Sequence, residues 1–335
     1  MKSYVKSRHK IGLVGFGGIG QQHAKVIAES QNCEFTAIVE INDANRSLAL
    51  HLYGASGVQM FSDFGSEFIE TEIDTWIVAS DTKTHVSMAK KLLSAGKNVL
   101  LEKPIGLSVA EAMELKDFIK NEPTNFMMGH ILLFSDEFIA LSATLQNRSP
   151  IQSVEFRRYR EKWHMEKYPN DTLFSLIMVH DLYTAFNLMP ENKPIQIQGQ
   201  AHFTNGGKAD LAMAQLSWKS GQLASFVAGF VHPNGSTPEV HDSLIAHGED
   251  WIITLEYFNS SITIESTESK ASKFKIFNGE TDSSSTFMSR ALTNQFNAFL
   301  DVIDGVTDIT IGASYQDALV VQDWIEQLTQ KSNLG

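Results

Sequence analysis

The sequence predicts an α/β protein in two parts: a doubly wound parallel sheet, then an α/β domain with a large, open, mainly antiparallel sheet. Two observations carry this. In the first third, short apolar runs alternate with stretches of helical spacing, the pattern of strand, helix and strand in a sheet covered on both faces. In the last half, strand-like runs follow one another with polar turns and without intervening helices.

The apolar runs are 11–15, 35–40, 76–79 and 99–101, continuous rather than alternating, as in strands buried on both sides. Helical spacing falls at 19–30, 43–53 and 84–95, the last ended by Gly96. After about Pro123 the pattern changes. A short apolar run at 126–131 leads into a helical stretch, then a strand-like segment covers 151–160. A strongly apolar helix is expected over 173–189, stopped by Pro190. Between 195 and 277 the strand-like runs include 211–218, 223–230, 251–257 and 261–265. The polar runs near Ser260 and over 281–285 read as solvated loops, and helices at 289–303 and 314–330 close the chain. Domains of 1–122 and 123–335 follow.

At 335 residues the chain suits two cores rather than one. The net charge of −12 and the lack of a basic block argue against nucleic acid as a partner. No apolar run approaches the ~20 residues of a spanning helix, and the basic N-terminus leads into a glycine turn rather than a signal peptide. The single cysteine, Cys33, excludes an internal disulfide framework and fits a reducing, cytoplasmic setting. It is expected as a part-buried filler in the turn before the second strand.

Gly15-Phe16-Gly17-Gly18-Ile19-Gly20 has G-x-G-x-x-G spacing, follows an apolar strand and opens a helix. The first glycine permits the tight turn, the second lets the backbone approach a pyrophosphate, and the third packs helix against strand. The helix N-terminus offers unpaired N–H groups to the phosphates. Glu40 closes the second strand about 20 residues later, where a carboxylate accepts hydrogen bonds from the ribose hydroxyls and repels a 2′-phosphate. The expected cofactor is NAD; nearby Arg46 is the feature that leaves NADP in play.

The run at 99–101 continues into Glu102-Lys103-Pro104. In open α/β sheets ligands sit beyond the carboxyl ends of strands, which places Lys103 where nicotinamide would lie. Desolvation and the positive ring of an oxidised cofactor would lower the lysine pKa, letting it exchange a proton with a substrate hydroxyl.

With the glycine turn, residues 80–85 (Ser-Asp-Thr-Lys-Thr-His) and 95–104 (Ala-Gly-Lys-Asn-Val-Leu-Leu-Glu-Lys-Pro) make the chain resemble the Gfo/Idh/MocA oxidoreductases. Weaker echoes run to the C-terminus, at 296–305 and 314–328. The resemblance implies an N-terminal Rossmann domain and a second domain whose open sheet forms a homodimer or homotetramer interface. It also implies Lys103 in a catalytic pocket, with Glu102 and His85 near the cofactor, and a sugar, polyol or related carbohydrate as substrate. Ser80-Asp81 stands where the family usually has Thr-Pro, a departure expected to alter contacts on the nicotinamide side.

The family's second motif is an aspartate four residues before a histidine on a helix. His180 matches the histidine, but Leu176 occupies the aspartate position. Helical spacing stacks Leu173, Leu176, Ile177, His180 and Thr184 along one stripe. The resemblance puts His180 in the active site as partner to Lys103. Asp181 is expected to point elsewhere and anchor the pocket or cap a neighbour, and Tyr183 to offer a hydroxyl to substrate.

Strand alternation places Arg158 and Arg160 on one face; an exposed sheet face is the simpler reading, an anion-holding role the sharper one. Trp163 and His164 are expected to border the substrate pocket. The remaining histidines show no i, i+4 pair and no companion cysteine or carboxylate cluster, so no metal is expected. The reading is an NAD-dependent dehydrogenase. Leu176 keeps open a catalytically weakened NAD-binding sensor, and an enzyme that recycles bound NAD is the third reading.

Overall fold

The computed structural model describes residues 9–332 apart from 64, 66–69, 121–123, 168–170, 190, 192, 237–239, 268 and 277–283. The chain divides into two compact units, Met1–Gly129 with Leu292–Leu319 and His130–Ala291 with Val320–Gly335. The domain boundary expected between 122 and 123 falls outside the described residues.

The first unit contains β1 (His9–Val14), α1 (Gly18–Glu29), β2 (Cys33–Val39), α2 (Asp43–Tyr53), β3 (Gln59–Phe61) and β4 (Thr75–Val78). It continues with α3 (Thr82–Ser94), β5 (Asn98–Glu102), the single turn α4 (Val109–Ala112) and β6 (Phe126–Gly129). The strands form a wholly parallel sheet in the order β3-β2-β1-β4-β5-β6. Val14, Val39, Val78 and Leu101 are all fully buried near the carboxyl ends of their strands, as a sheet covered on both faces requires. The order reverses between β1 and β4, the topological switch point where open α/β sheets bind ligands.

The second unit contains α5 (Asp136–Leu145), β7 (Ser153–Glu161), the short α6 (Trp163–Lys167), α7 (Val179–Leu188), β8 (Gln196–Phe203) and β9 (Ala209–Ser217). After these come β10 (Leu223–His232), β11 (His241–His247), β12 (Trp251–Glu256), β13 (Ser261–Ser266) and β14 (Ser269–Lys275). Their sheet has the order β14-β13-β12-β11-β7-β10-β9-β8; β7 and β10 pair in parallel and all other neighbours antiparallel. One face is buried through Ala212, Ala214, Leu216, Ala228 and Leu244, while Met213, Leu223 and Ile252 are exposed. Two further helices, α8 (Ser284–Ile303) and α9 (Tyr315–Lys331), close the chain.

The fold is the α/β architecture the sequence predicts, with local corrections. α3 begins two residues earlier than its apolar spacing suggests, because Asp81 caps it by accepting from Lys83 N at 3.2 Å. The helix expected over 173–189 opens with a Thr172/Ser175 reciprocal cap, then widens into a π-turn at Phe174–Met178 before α7. Cys33 is the buried first residue of β2, not a turn residue. Ser260 is buried rather than solvated: its hydroxyl bonds the Glu137 carboxylate and its φ is +43°. Of the other loop, 281–283 lie outside the described residues and Ser284 already belongs to α8.

Candidate active site

The first unit's site is assembled at the carboxyl ends of β1, β2, β4 and β5. Gly15 has φ +92°, and a Cβ there would lie 2.6 Å from the Ala79 carbonyl oxygen, so only glycine makes this turn. A Cβ on Gly20 would lie 2.2 Å from the Gly15 carbonyl oxygen, which is why α1 can start so close to β1. Beside Gly17 a Cβ would meet nothing within 4 Å, and α1 has no side-chain cap and no acidic residue in its first turn. Gly18, Ile19 and Gly20 therefore begin a helix whose positive end is uncompensated, a cradle that fits a pyrophosphate.

Glu40 is buried and held from two sides. One carboxylate oxygen accepts from Phe16 N at 2.6 Å and the other from Asn42 N at 2.7 Å. Each oxygen keeps a lone pair for a ribose hydroxyl. Arg46 is engaged locally: Nη1 donates to the Glu40 and Ile41 carbonyls, at 2.9 and 3.3 Å, and Nη2 pairs with Asp43.

At the β4 end, Ser80 Oγ lies 2.7 Å from Thr84 Oγ1, and Asp81 is spent on the α3 cap. His85 is buried between two carbonyl oxygens, Pro104 at 2.7 Å from Nδ1 and Ser80 at 3.0 Å from Nε2, so it ties the β4 loop to the β5 loop. Burial pushes its pKa down against the pull of both carbonyls, and the neutral ring this favours can donate to only one of the two at a time. Lys103 is half-buried, and its backbone N–H donates to Glu102 Oε2 at 3.2 Å.

Glu102 Oε1 in turn lies 2.7 Å from Nε2 of His23, a buried residue of α1 that the sequence reading passed over. The signal was present. His23 shares the buried stripe of α1 with Gly20, Ala24 and Ile27, and a histidine on a core stripe needs a partner.

In the second unit His180 is half-buried on α7 and Leu176 half-buried in the π-turn before it. Asp181 is fully buried: its oxygens accept from Arg158 Nε at 3.1 Å and Nη2 at 2.6 Å. Arg158 also pairs with Asp242 on β11, its direct cross-strand neighbour, and Asp242 holds Arg160 at 2.9 Å as well. Arg158 and Arg160 do share a face, but it is the buried one. The exposed-face reading is corrected, and both guanidiniums are committed to carboxylates. Asp242 had no signal in the sequence, because its role depends on the β7–β11 register.

Tyr183 is buried with its ring against His130. Trp163 and His164 stack on each other after β7, and the indole N–H donates to Glu161 at 2.6 Å. Burial, Arg160 and Lys167 lower the His164 pKa. No group of three or more potential metal ligands occurs among the described residues, nor is any helix there long and apolar enough to cross a membrane.

The model of the Gfo/Idh/MocA oxidoreductase family, described as an NAD-binding Rossmann fold, matches residues 9–130. Over those residues the chain is similar to the Gfo/Idh/MocA oxidoreductases. The rhizopine catabolism protein MocA of Rhizobium meliloti is 30% identical over 131 residues, 39% of this chain and 40% of that protein. Glucose-6-phosphate 3-dehydrogenase of Bacillus subtilis is 31% identical over 120 residues, 36% of this chain and 33% of the relative. The chain therefore matches well under half the length of these relatives. The fold extends further. The UDP-N-acetylglucosamine 3-dehydrogenase structure from Acidithiobacillus ferrooxidans aligns over 98% of both chains, with a TM-score of 0.81 and 18% identity.

Proposed function

We propose that the protein is an NAD-dependent dehydrogenase that moves a hydride between the nicotinamide and a hydroxyl or carbonyl carbon of a sugar, polyol or related carbohydrate. The observation that carries this reading is Lys103 at the end of β5, its backbone fixed by Glu102, in the unit that holds the glycine cradle and Glu40. The names of the dehydrogenase relatives supply the substrate class.

Bound NAD supplies the hydride acceptor. Gly15, Phe16, Gly17, Gly18 and Ile19 would cradle its pyrophosphate, Glu40 its ribose, and Ser80, Asp81 and His85 would flank the nicotinamide side. In the oxidative direction neutral Lys103 takes the hydroxyl proton while the carbinol hydrogen leaves with its electron pair; the carbon–oxygen bond becomes a carbonyl. In the reverse direction Lys103 returns the proton. His180 is the second proton-handling residue in this reading, with Trp163 and His164 as substrate contacts and the buried Tyr183 behind them. Asp181, already bound by Arg158, supports rather than touches the substrate.

The exposed sheet face carrying Met213, Leu223 and Ile252 is the proposed homo-oligomer surface, and a chain with a single, buried cysteine fits a reducing cytoplasm. Leu176 favours a second reading, a nucleotide-binding sensor whose chemistry has weakened.

The test is NAD reduction across polyols, sugars and nucleotide sugars, wild type against Lys103→Ala. Turnover that falls by about 10²- to 10⁴-fold in the variant is expected from loss of a general base. Tight NAD binding with a silent panel would overturn the dehydrogenase in favour of the sensor or the recycled cofactor.

A further inference from the structure

The Arg158 cluster holds four charges, two guanidiniums and two carboxylates, at 2% exposure or less for Arg158, Asp181 and Asp242 and 13% for Arg160. Burying such a network gains little stability over apolar side chains of similar volume, because desolvation offsets most of the attraction. What it supplies is direction. A two-bond fork from Arg158 fixes the plane of the Asp181 carboxylate, and hence the rotation of α7 about its own axis.

The π-turn at Phe174–Met178 interrupts the regular α-helical ladder just upstream of α7, so the fork from Arg158 is the side-chain anchor nearest to the change of register. His180 is the residue immediately before Asp181, and Thr184 Oγ1 donates to the His180 carbonyl at 2.9 Å, tying the same turn together. Arg158 is itself fixed from the sheet by Asp242, which reaches Arg160 too.

We infer that Arg158, locked between Asp242 and Asp181, is a positioning residue that sets the orientation of the His180 imidazole. This rests on the proposed role of His180. The cluster acts on the proton-handling residue through the helix, and neither Arg158 nor Asp181 touches substrate.

The informative variant is Arg158→Met with Asp181→Leu, which removes one charge of each sign and leaves Arg160 paired with Asp242. The protein is expected to stay folded, with an unchanged melting temperature or a higher one. NAD affinity, read by titration, is expected to match wild type, since its residues lie in the other unit. On the best substrate from the panel, kcat should fall at least about tenfold with KM little changed, as for a misplaced reacting group. The titration midpoint of the His180 ring, followed by NMR and assigned by the signal lost in His180→Gln, should move although no net charge has changed.

A folded double variant with wild-type kcat and an unmoved His180 titration overturns the inference. If the double variant does not fold, Arg158→Lys keeps the charge and loses the fork. It should show the same changes in smaller degree, and wild-type behaviour there overturns the inference equally. Full activity in His180→Gln would instead overturn the role of His180, leaving the clamp to be judged by the ring titration alone.

Discussion

The two units build their candidate sites from different materials. In the first, backbone groups do most of the work: the uncapped start of α1, the N–H groups that hold Glu40, and the carbonyls around His85. In the second, side chains far apart in sequence do it; Arg158 meets Asp181 across 23 residues and Asp242 across 84. A parallel sheet gathers the ends of its strands at one edge, so a short motif at each end suffices. An antiparallel sheet places its groups by register, which no short motif encodes.

If that contrast is right, small backbone changes should damage the first site most. Beyond the loss of turnover in Lys103→Ala, the largest effect is expected from Gly20→Ala. Its Cβ would sit 2.2 Å from a backbone oxygen that cannot swing aside. A stability loss of about 1–3 kcal/mol is expected from overpacking, with NAD affinity down by about tenfold or more as the cradle opens. Thermal melts and NAD titration check both; wild-type affinity would show that the cradle tolerates displacement.

Glu40→Gln is expected to act next most strongly. Each carboxylate oxygen now accepts one backbone N–H, whereas an amide accepts at one atom only and turns its NH₂ against the other donor. Losing a charged hydrogen bond of this kind costs about 1.5–3 kcal/mol of stability, and losing the charged acceptor for a ribose hydroxyl should weaken NAD by roughly tenfold or more. NADP should weaken less, since the repulsion of its 2′-phosphate is relieved. Equal losses for both cofactors would break the argument that Glu40 discriminates between them.

The sheet class, the glycine turn, Glu40 and the Glu102-Lys103-Pro104 strand end were legible because each is a contiguous pattern with one structural meaning. The strand β3 is three residues long and left no periodicity to read. The π-turn was invisible for another reason: its sequence has ordinary helical spacing, and only the hydrogen bonding differs. Arg158 was legible only in part. Alternation correctly paired it with Arg160, yet which face is buried depends on a helix and a strand from elsewhere in the chain. His23 lay between these cases, on a readable stripe with a partner 79 residues away.

The smallest predicted effect separates two histidines of the first unit by sign. His9 bonds Asp74 at 3.2 Å and Asp304 at 3.0 Å, tying β1 to the chain segment after α8. The Asp74 hydrogen bond, with Asp304 adding to it, raises the His9 pKa above its ordinary value despite partial burial. A raised folded-state pKa means that this stabilisation is fully present below about pH 6.5 and is lost as pH rises through the folded value. His85, lowered by burial, has the opposite sign: it favours the fold above that pH and opposes it on acidification. His9→Asn keeps a hydrogen-bonding side chain and removes the titration. The melting temperature of wild type should therefore exceed that of the variant by a few degrees near pH 5.5, and the gap should close by about pH 8.5. A gap that is constant across that range would show that His9 contributes packing and not charge; a gap that widens at high pH would reverse the sign and return the pair to a neutral hydrogen bond.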